Sequence, residues 1–287
     1  MSLVVVFGSS GMLGTYVKKV MSTDFLVRCI NRDEYDCMHD TIQKLDDIFS
    51  SAMKGNADQS TTIINCIGII PQKLSSTPEE TNYREYIKIN TMFPHQLQSI
   101  AKTHNARLVH ITTDCVFDGI LGESYDENDT HTETNIYGTS KSLGEPPAGA
   151  TVIRTSIIGE AITPRSPSLL EWVKSNKNNT IQGYKTHLWN GVTCLQLAYI
   201  IKRIIHDNLF WDGVRHIYSP RVVSKYDLCC YISKSFNLNV NVTPTDTRPV
   251  NKSLVSIYAS NKEYSKLLEN IPDICTQITD LKSWSCH

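Results

Sequence analysis

The chain has 287 residues and a mass of 32.4 kDa, enough for one large α/β domain or for a domain with a smaller lobe. Hydrophobic residues at 40% and charged residues at 20% exclude a disordered chain, and 28 basic against 29 acidic residues exclude a broad nucleic-acid footprint. No apolar run reaches the roughly 18–20 residues of a membrane span, and nine cysteines without a C-x-x-C pair point to reduced thiols rather than a zinc ribbon or a disulfide framework.

Residues 3–7 form a short β-branched run ending in glycine and read as a buried parallel strand. A helix is predicted over 12–21, a second strand over 25–30 and a second amphipathic helix over 42–53. Residues 61–70 are strand-like, 90–103 suit a long helix, and 107–112 form the next strand. A helix over 137–145 is closed by Pro146 and Pro147, and 151–158 is again strand-like. This alternation predicts an α/β fold, a Rossmann-type doubly wound parallel sheet. Residues 160–190 read as a substrate loop with a short helix at 168–174, 195–207 as an amphipathic helix, and 219–260 as a small mixed lobe. The division expected is a cofactor-binding domain at 1–159, with the helix at 193–207 returning to it, and a smaller C-terminal substrate lobe at 160–287. Residues 261–287 carry no readable motif.

The first strand runs into Gly8-Ser9-Ser10-Gly11-Met12-Leu13-Gly14, a G-x-x-G-x-x-G turn with a helix starting inside it. The first glycine permits the tight turn, the second lets the backbone approach a pyrophosphate, and the third lets helix and strand pack closely. The pyrophosphate then rests on amides at a helix N-terminus, where the dipole favours an anion. The second strand ends at Asn31-Arg32, near the offset at which a side chain selects between NAD and NADP. Arg32 there suits a 2′-phosphate and favours NADPH over NADH. The bland alternative is a solvated arginine.

Tyr137-Gly138-Thr139-Ser140-Lys141 is a Y-x-x-x-K pair, one helical turn apart. A nearby ammonium favours the phenolate, so the tyrosine is expected to titrate low and to exchange a proton with a carbonyl or alcohol oxygen. Upstream, Thr112-Thr113-Asp114-Cys115 ends a strand, where open α/β sheets bind ligands.

The motifs GSSGMLG, INCIG, TTDCVFDG, YGTSKSLGE, VIRTSIIGE, NGVT and TRP run from Gly8 to Pro249. With them the sequence resembles the extended short-chain dehydrogenases/reductases, and among these the dTDP-4-dehydrorhamnose reductases and related nucleotide-sugar 4-ketoreductases. The resemblance implies NADPH-dependent reduction of the 4-keto group of a UDP- or dTDP-linked 4-keto-6-deoxy-hexose. Thr113, Tyr137 and Lys141 would be the catalytic triad. Gly8, Ser10, Gly11, Met12, Leu13, Gly14, Asn31, Arg32, Asn65, Cys66, Gly68 and Asn90 would line the cofactor side together with Tyr137 and Lys141, Lys141 on the ribose. Asp114, Cys115, Trp189, Asn190 and Arg248 are the substrate candidates, Arg248 for a diphosphate and Trp189 either stacking or packing. Arg154 sits in the I-R-T-S motif with a role open to a structural reading.

Simple reductases of this group carry tyrosine where this chain has Cys115, and bifunctional relatives carry cysteine. That leaves a 3,5-epimerase/4-reductase as an alternative, with Lys174, Lys185 and His187 as unregistered acid/base partners; the bland reading is a space-filling thiol. A third reading is a non-catalytic NADP-binding regulatory subunit, since the regulatory subunit of methionine adenosyltransferase shares the resemblance. A homodimer, a cytoplasmic location, no metal, and an upstream 4,6-dehydratase with or without a separate epimerase complete the expectations.

Overall fold

The structure is a computed structural model that describes residues 2–54, 60–71, 79–146, 148–160 and 168–285. In chain order the first elements are β1 (Leu3–Phe7), α1 (Met12–Met21), β2 (Leu26–Ile30), α2 (Ile42–Met53), β3 (Thr61–Asn65) and α3 (Glu79–Tyr86). A π-helical turn (Ile87–Met92), α4 (Phe93–Thr103), β4 (Arg107–Thr113), α5 (Ile136–Leu143), β5 (Thr151–Thr155) and β6 (Ile157–Ile158) follow. Then come α6 (Leu169–Ser175), β7 (Thr180–Tyr184), β8 (His187–Trp189), β9 (Val192–Thr193), α7 (Cys194–His206) and β10 (Gly213–His216). The chain closes with β11 (Val223–Ser224), α8 (Lys225–Ser235), β12 (Asn241–Thr245), β13 (Val250–Asn251), α9 (Lys262–Leu268) and α10 (Ile274–Ser285).

Two compact units emerge: Met1–Val116, Thr134–Arg154 and Ala198–Arg215 in the first, Phe117–Glu133, Thr155–Leu197 and His216–His287 in the second. The first unit is built on a six-stranded sheet of order β10-β5-β4-β3-β1-β2, in which β2, β1, β3 and β4 pair in parallel. All five residues of β1 are buried, as a central parallel strand requires. The strand order reverses at β1/β3, so the carboxyl ends of these two strands flank the crevice where such sheets bind ligands. Phe93 from α4 meets the rings of Phe7 (5.6 Å) and Tyr35 (5.7 Å) on one face of the sheet. Caps fix the helix starts: Thr41 accepts from the Lys44 amide, and Asn135 from the Gly138 amide (2.9 Å).

Several predicted boundaries move. The strand at 61–70 stops at Asn65, because Asn65 turns its Oδ1 to the Ile67 amide (3.0 Å) and ends the ladder. The run 151–158 splits at Ser156, whose carbonyl accepts from Val192 (2.9 Å) beside Gly191, where an added Cβ would lie 2.1 Å from that oxygen. The helix expected at 90–103 is a π turn followed by α4, with Pro94 in the first turn. Residues 117–133 pack with the second unit rather than with the expected cofactor domain. Phe117 stacks on Tyr125 (4.1 Å, 9°), Asn251 donates to the Gly119 carbonyl (2.8 Å), and the Glu127 carboxylate accepts from the His216 and Ile257 amides (2.9 Å each). Residues 198–206 of α7 belong to the first unit.

In the second unit the reading of 160–190 as a loop with one helix misses β7 and β8. β7 pairs in parallel with β12, its residues alternating outward and inward, and β8 lies between β11 and β13. Residues 161–167, which hold the predicted proline turns, lie outside the described residues, as does Pro147. The tail without a motif forms α9 and α10; Gln277 on α10 accepts from the Thr193 amide (2.9 Å) and donates to Ser219 Oγ (2.9 Å). No described helix is long and apolar enough to cross a membrane.

Candidate active site

The glycine turn forms as its spacing predicts. Gly8 has φ +77°, open to glycine, and its carbonyl accepts from the Gly11 amide (2.9 Å). A Cβ on Gly14 would lie 2.0 Å from that same carbonyl oxygen, so the third glycine is where α1 touches the end of β1. Gly11 caps α1 in extended geometry without a side-chain hydrogen bond, and no acidic residue lies in the first turn. Helix amides held this way suit the pyrophosphate of a dinucleotide. Ser9 Oγ donates to Asn31 Oδ1 (2.9 Å), tying the turn to the end of β2, and Ser10 is exposed. Arg32 is 77% exposed and reaches Asp36 (3.2 Å), while Arg28 pairs with Glu34. Arginines thus engage two of the acids following β2, and Arg32 sits on the rim of the site.

The segment after β3 links this turn to the tyrosine–lysine pair. A Cβ on Gly8 would touch Cys66 and Ile67, and one on Gly68 would lie 3.7 Å from both Lys141 Nζ and Asn90 Oδ1. Asn65 is fully buried; with its Oδ1 spent on Ile67, its Nδ2 donates to His110 Nδ1 (3.1 Å). His110 is therefore the neutral tautomer with its proton on Nε2, and burial with the nearby Lys141 charge holds it well below the usual histidine range. Asn90, on the π turn, accepts from the Ile69 amide (2.9 Å) and donates to its carbonyl (3.0 Å) and to Ser140 Oγ (3.2 Å). Its amide clamps the 66–69 segment to α5. Burial drives the Cys66 thiol up to about 12, so it is a neutral wall beside the turn.

Thr113, Tyr137 and Lys141 come together within the first unit. Thr113 ends β4; its hydroxyl accepts from the Cys115 amide (3.1 Å), lies 3.2 Å from Asp114 Oδ1 and hydrogen-bonds the Tyr137 phenol. Lys141 is buried and donates to the Ile111 carbonyl (3.1 Å). Burial lowers its ammonium to about 8, against which the Glu145 carboxylate pulls upward. Tyr137 differs from the expectation. Burial first, then Cys115, Asp114 and Tyr86 nearby, push the phenol above its ordinary value, with Thr113 opposing. Lys141 spends a proton on a backbone carbonyl, and desolvation outweighs the anticipated pull toward phenolate. A tyrosine held neutral is a proton donor. Cys115 sits beside the triad, its Sγ 3.6 Å from Asp114 Oδ1.

The substrate candidates of the second unit divide. Asn190 is buried, and its amide pairs both ways with Leu254, donating to the carbonyl and accepting from the amide (2.8 Å each). Trp189 is buried in β8 with Lys225 Nζ 5.0 Å from its ring centre. A backbone segment 64 residues away in sequence claims the Asn190 amide. Arg248 stays exposed, and its neighbour Thr247 bonds His187 Nε2 through Oγ1 (3.0 Å). Lys174 is held by Glu160 (2.6 Å) and Glu171 (3.2 Å), which keep its ammonium above the usual lysine range. Sequence reasoning missed His110, Gly144 and Glu145. The G-E that follows Y-x-x-x-K at four-residue spacing was the available signal.

A model of the RmlD substrate binding domain family matches residues 1–284. Among curated proteins, methionine adenosyltransferase 2 subunit beta of Xenopus laevis is 28% identical over 196 residues, covering 63% of this chain and 56% of that protein. The dTDP-4-keto-6-deoxy-D-glucose reductase of Streptomyces niveus is 27% identical over 158 residues, 53% of this chain and 51% of that protein. The chain thus spans about half the length of the curated relatives it matches. Among solved structures, dTDP-4-dehydrorhamnose reductase of Bacillus anthracis in complex with NADP gives a TM-score of 0.80 at 18% identity, with 99% and 100% of the two chains covered. The orthologue from Clostridium acetobutylicum gives 0.78 at 20%, with the same coverage. These structures share the fold, and the match across residues 1–284 shows that the chain belongs to the RmlD substrate binding domain family.

Proposed function

We propose that this protein is an NADPH-dependent reductase of the 4-keto group of a nucleotide-linked 4-keto-6-deoxy-hexose, producing an L-rhamnose-type nucleotide sugar or an N-acetylated relative. The observation that carries the reading is the meeting of Thr113, Tyr137 and Lys141 in the unit that also holds the Gly8–Gly14 turn, at the carboxyl ends of one parallel sheet.

The dinucleotide would rest on the amides of Gly11, Met12 and Leu13, with Arg32 toward a 2′-phosphate and Lys141 toward the ribose beside Gly68. When bound, the cofactor supplies the hydride. Tyr137, kept protonated by burial, gives its proton to the carbonyl oxygen, so that C=O becomes CH–OH with hydride on carbon and proton on oxygen. The Thr113 hydroxyl steadies the charge developing on that oxygen. Lys141 then favours the phenolate left behind, a pull that matters once the proton has gone. Arg248 is the candidate for the diphosphate, its exposed fork suited to bidentate contact. A dTDP-linked sugar is favoured by the names of the Streptomyces niveus and Bacillus anthracis relatives. The protein would act as a homodimer in the cytoplasm, fed by a 4,6-dehydratase.

Two further readings have their own support. Cys115 beside Asp114 and Tyr137 favours added 3,5-epimerisation. The similarity to methionine adenosyltransferase 2 subunit beta favours a cofactor-binding subunit of another enzyme. NADPH consumption with dTDP- and UDP-4-keto-6-deoxyglucose, each with and without a 3,5-epimerase, separates them. Oxidation without epimerase that is lost in Cys115→Ser indicates the bifunctional enzyme, and oxidation only with epimerase a plain reductase. NADPH binding without turnover in any tube, 2-acetamido substrates included, supports the subunit reading. Tyr137→Phe is expected to fold and to lose turnover in either enzyme.

A further inference from the structure

Tyr137, Lys141 and Glu145 follow one another at four-residue spacing along and just beyond α5. The helix ends at Gly144, whose amide returns to Ser140 and Lys141, and a Cβ there would lie 1.8 Å from the Asn90 carbonyl oxygen. The end of α5 is thus wedged against the π turn, and the next residue, Glu145, is fixed in place. Its carboxylate is gripped at both oxygens by Arg154 of β5: Nε to Oε1 at 3.1 Å and Nη2 to Oε2 at 2.6 Å. The two side chains are 2% and 6% exposed, and Arg154 is among the largest fully buried side chains. A buried ion pair is weak evidence for stability, because an apolar pair of similar size usually serves as well or better. Its place one turn beyond Lys141 suggests another use.

We propose that Glu145, locked by Arg154, is a positioning residue that holds a fixed negative charge opposite the Lys141 ammonium and so keeps that ammonium in its working place and charge state. Lys141 lies in a dry site where burial lowers its ammonium to about 8, and the Glu145 charge pulls the other way. Among the described groups, Glu145 is the one whose charge favours the Lys141 ammonium. His110 on β4 is neutral, with His95 of α4 beyond it. Burial raises the Tyr137 phenol on α5, the Cys66 thiol after β3 and the Tyr86 phenol on α3. Asp114 and Cys115 after β4 act on Tyr137. The Arg154 fork engages both Glu145 oxygens and so keeps the carboxylate stationary just beyond α5.

The inference rests on the reductase reading only for its kinetic arm, so its test has a second arm that needs no turnover. The full chain is labelled with [13C]-ε-lysine, and the Lys141 resonance, assigned with Lys141→Met, is followed against pH by NMR. Glu145→Gln removes the charge and keeps the shape; Glu145→Leu with Arg154→Met removes the pair and keeps an apolar fill. In both folded variants the Lys141 midpoint is expected to fall by about one pH unit, a tenfold change in acidity. The kinetic arm expects kcat/KM at pH 8 about fivefold below the parent's, recovering toward pH 6.5 where Lys141 is charged again. An unmoved Lys141 midpoint in the folded double variant overturns the proposal. So does failure of both variants to fold, which would make the pair part of the scaffold. A shifted midpoint with no keto-sugar turnover in the parent leaves the positioning role standing and removes the reductase reading instead.

Discussion

Gly14→Ala tests the contact on which the candidate nucleotide turn depends. The new Cβ would meet the Gly8 carbonyl oxygen at 2.0 Å, the Gly8 carbonyl carbon at 2.7 Å and the Ser9 Cα at 2.8 Å, all backbone atoms. No rotamer relieves this; α1 must retreat from β1 by about 1 Å to reach even the shortest tolerable contact. Retreat stretches the Gly11 amide bond to the Gly8 carbonyl (2.9 Å) and the Thr15 hydroxyl bond to the Ser9 carbonyl (3.3 Å). Overpacking costs about 1–3 kcal/mol and each weakened bond about 1 kcal/mol, so the loss is about 3–5 kcal/mol. That is a large share of a typical total of about 5–15 kcal/mol. Gly11→Ala is the counterpart: its Cβ would lie 3.2 Å from the Gly8 carbonyl oxygen alone, in extended backbone that alanine accepts. Its stability should stay within about 1 kcal/mol, helped by the less flexible unfolded chain. Thermal melts of both variants, with and without NADPH, give the answer. At one hundred times its Kd the cofactor should add about 2.7 kcal/mol to the parent. Gly11→Ala should lose that gain, because in the proposed pose a Cβ there would crowd the pyrophosphate. A Gly14→Ala protein within about 1 kcal/mol of the parent would refute the close approach, and a Gly11→Ala protein that keeps the full gain would refute the anion-binding turn.

Asn90→Ala removes three hydrogen bonds and strands the buried Ile69 amide and carbonyl; a loss of about 2–5 kcal/mol is expected in urea unfolding, with cofactor affinity falling as the 66–69 segment loosens. Asn190→Ala unpairs Leu254 at both ends and should cost about 2–5 kcal/mol while leaving the KM of the folded fraction unchanged; a raised KM at unchanged stability would restore Asn190 to the substrate. Lys141 ties stability to alkaline pH. The unfolded chain holds this proton up to 10.5 and the folded one only to about 8, so the unfolded state binds more protons in that window and stability rises with pH across it. The parent should gain about 3 kcal/mol relative to Lys141→Met between pH 8 and 10.5, an upper figure, and a flat difference would contradict the burial argument.

What the sequence determined by itself was whatever depends on short spacing. The β/α alternation follows from hydrophobic period, and the Gly8–Gly14 turn and the Tyr137–Lys141 pair each lie within two helical turns, so local geometry alone brings their members together. β7 was lost because only one of its faces is buried and its outward residues are polar, which leaves a five-residue pattern indistinguishable from a loop. The fate of polar side chains was decided elsewhere. Asn65 meets His110 across 45 residues, Asn90 meets Ser140 across 50, and Asn190 meets Leu254 across 64. A sequence shows that such a group exists but not which partner will satisfy it once water is excluded. The phenol of Tyr137 shows the same division: its spacing to Lys141 was legible, yet its titration followed from burial, a property of the packed sheet and its helices and of no local segment.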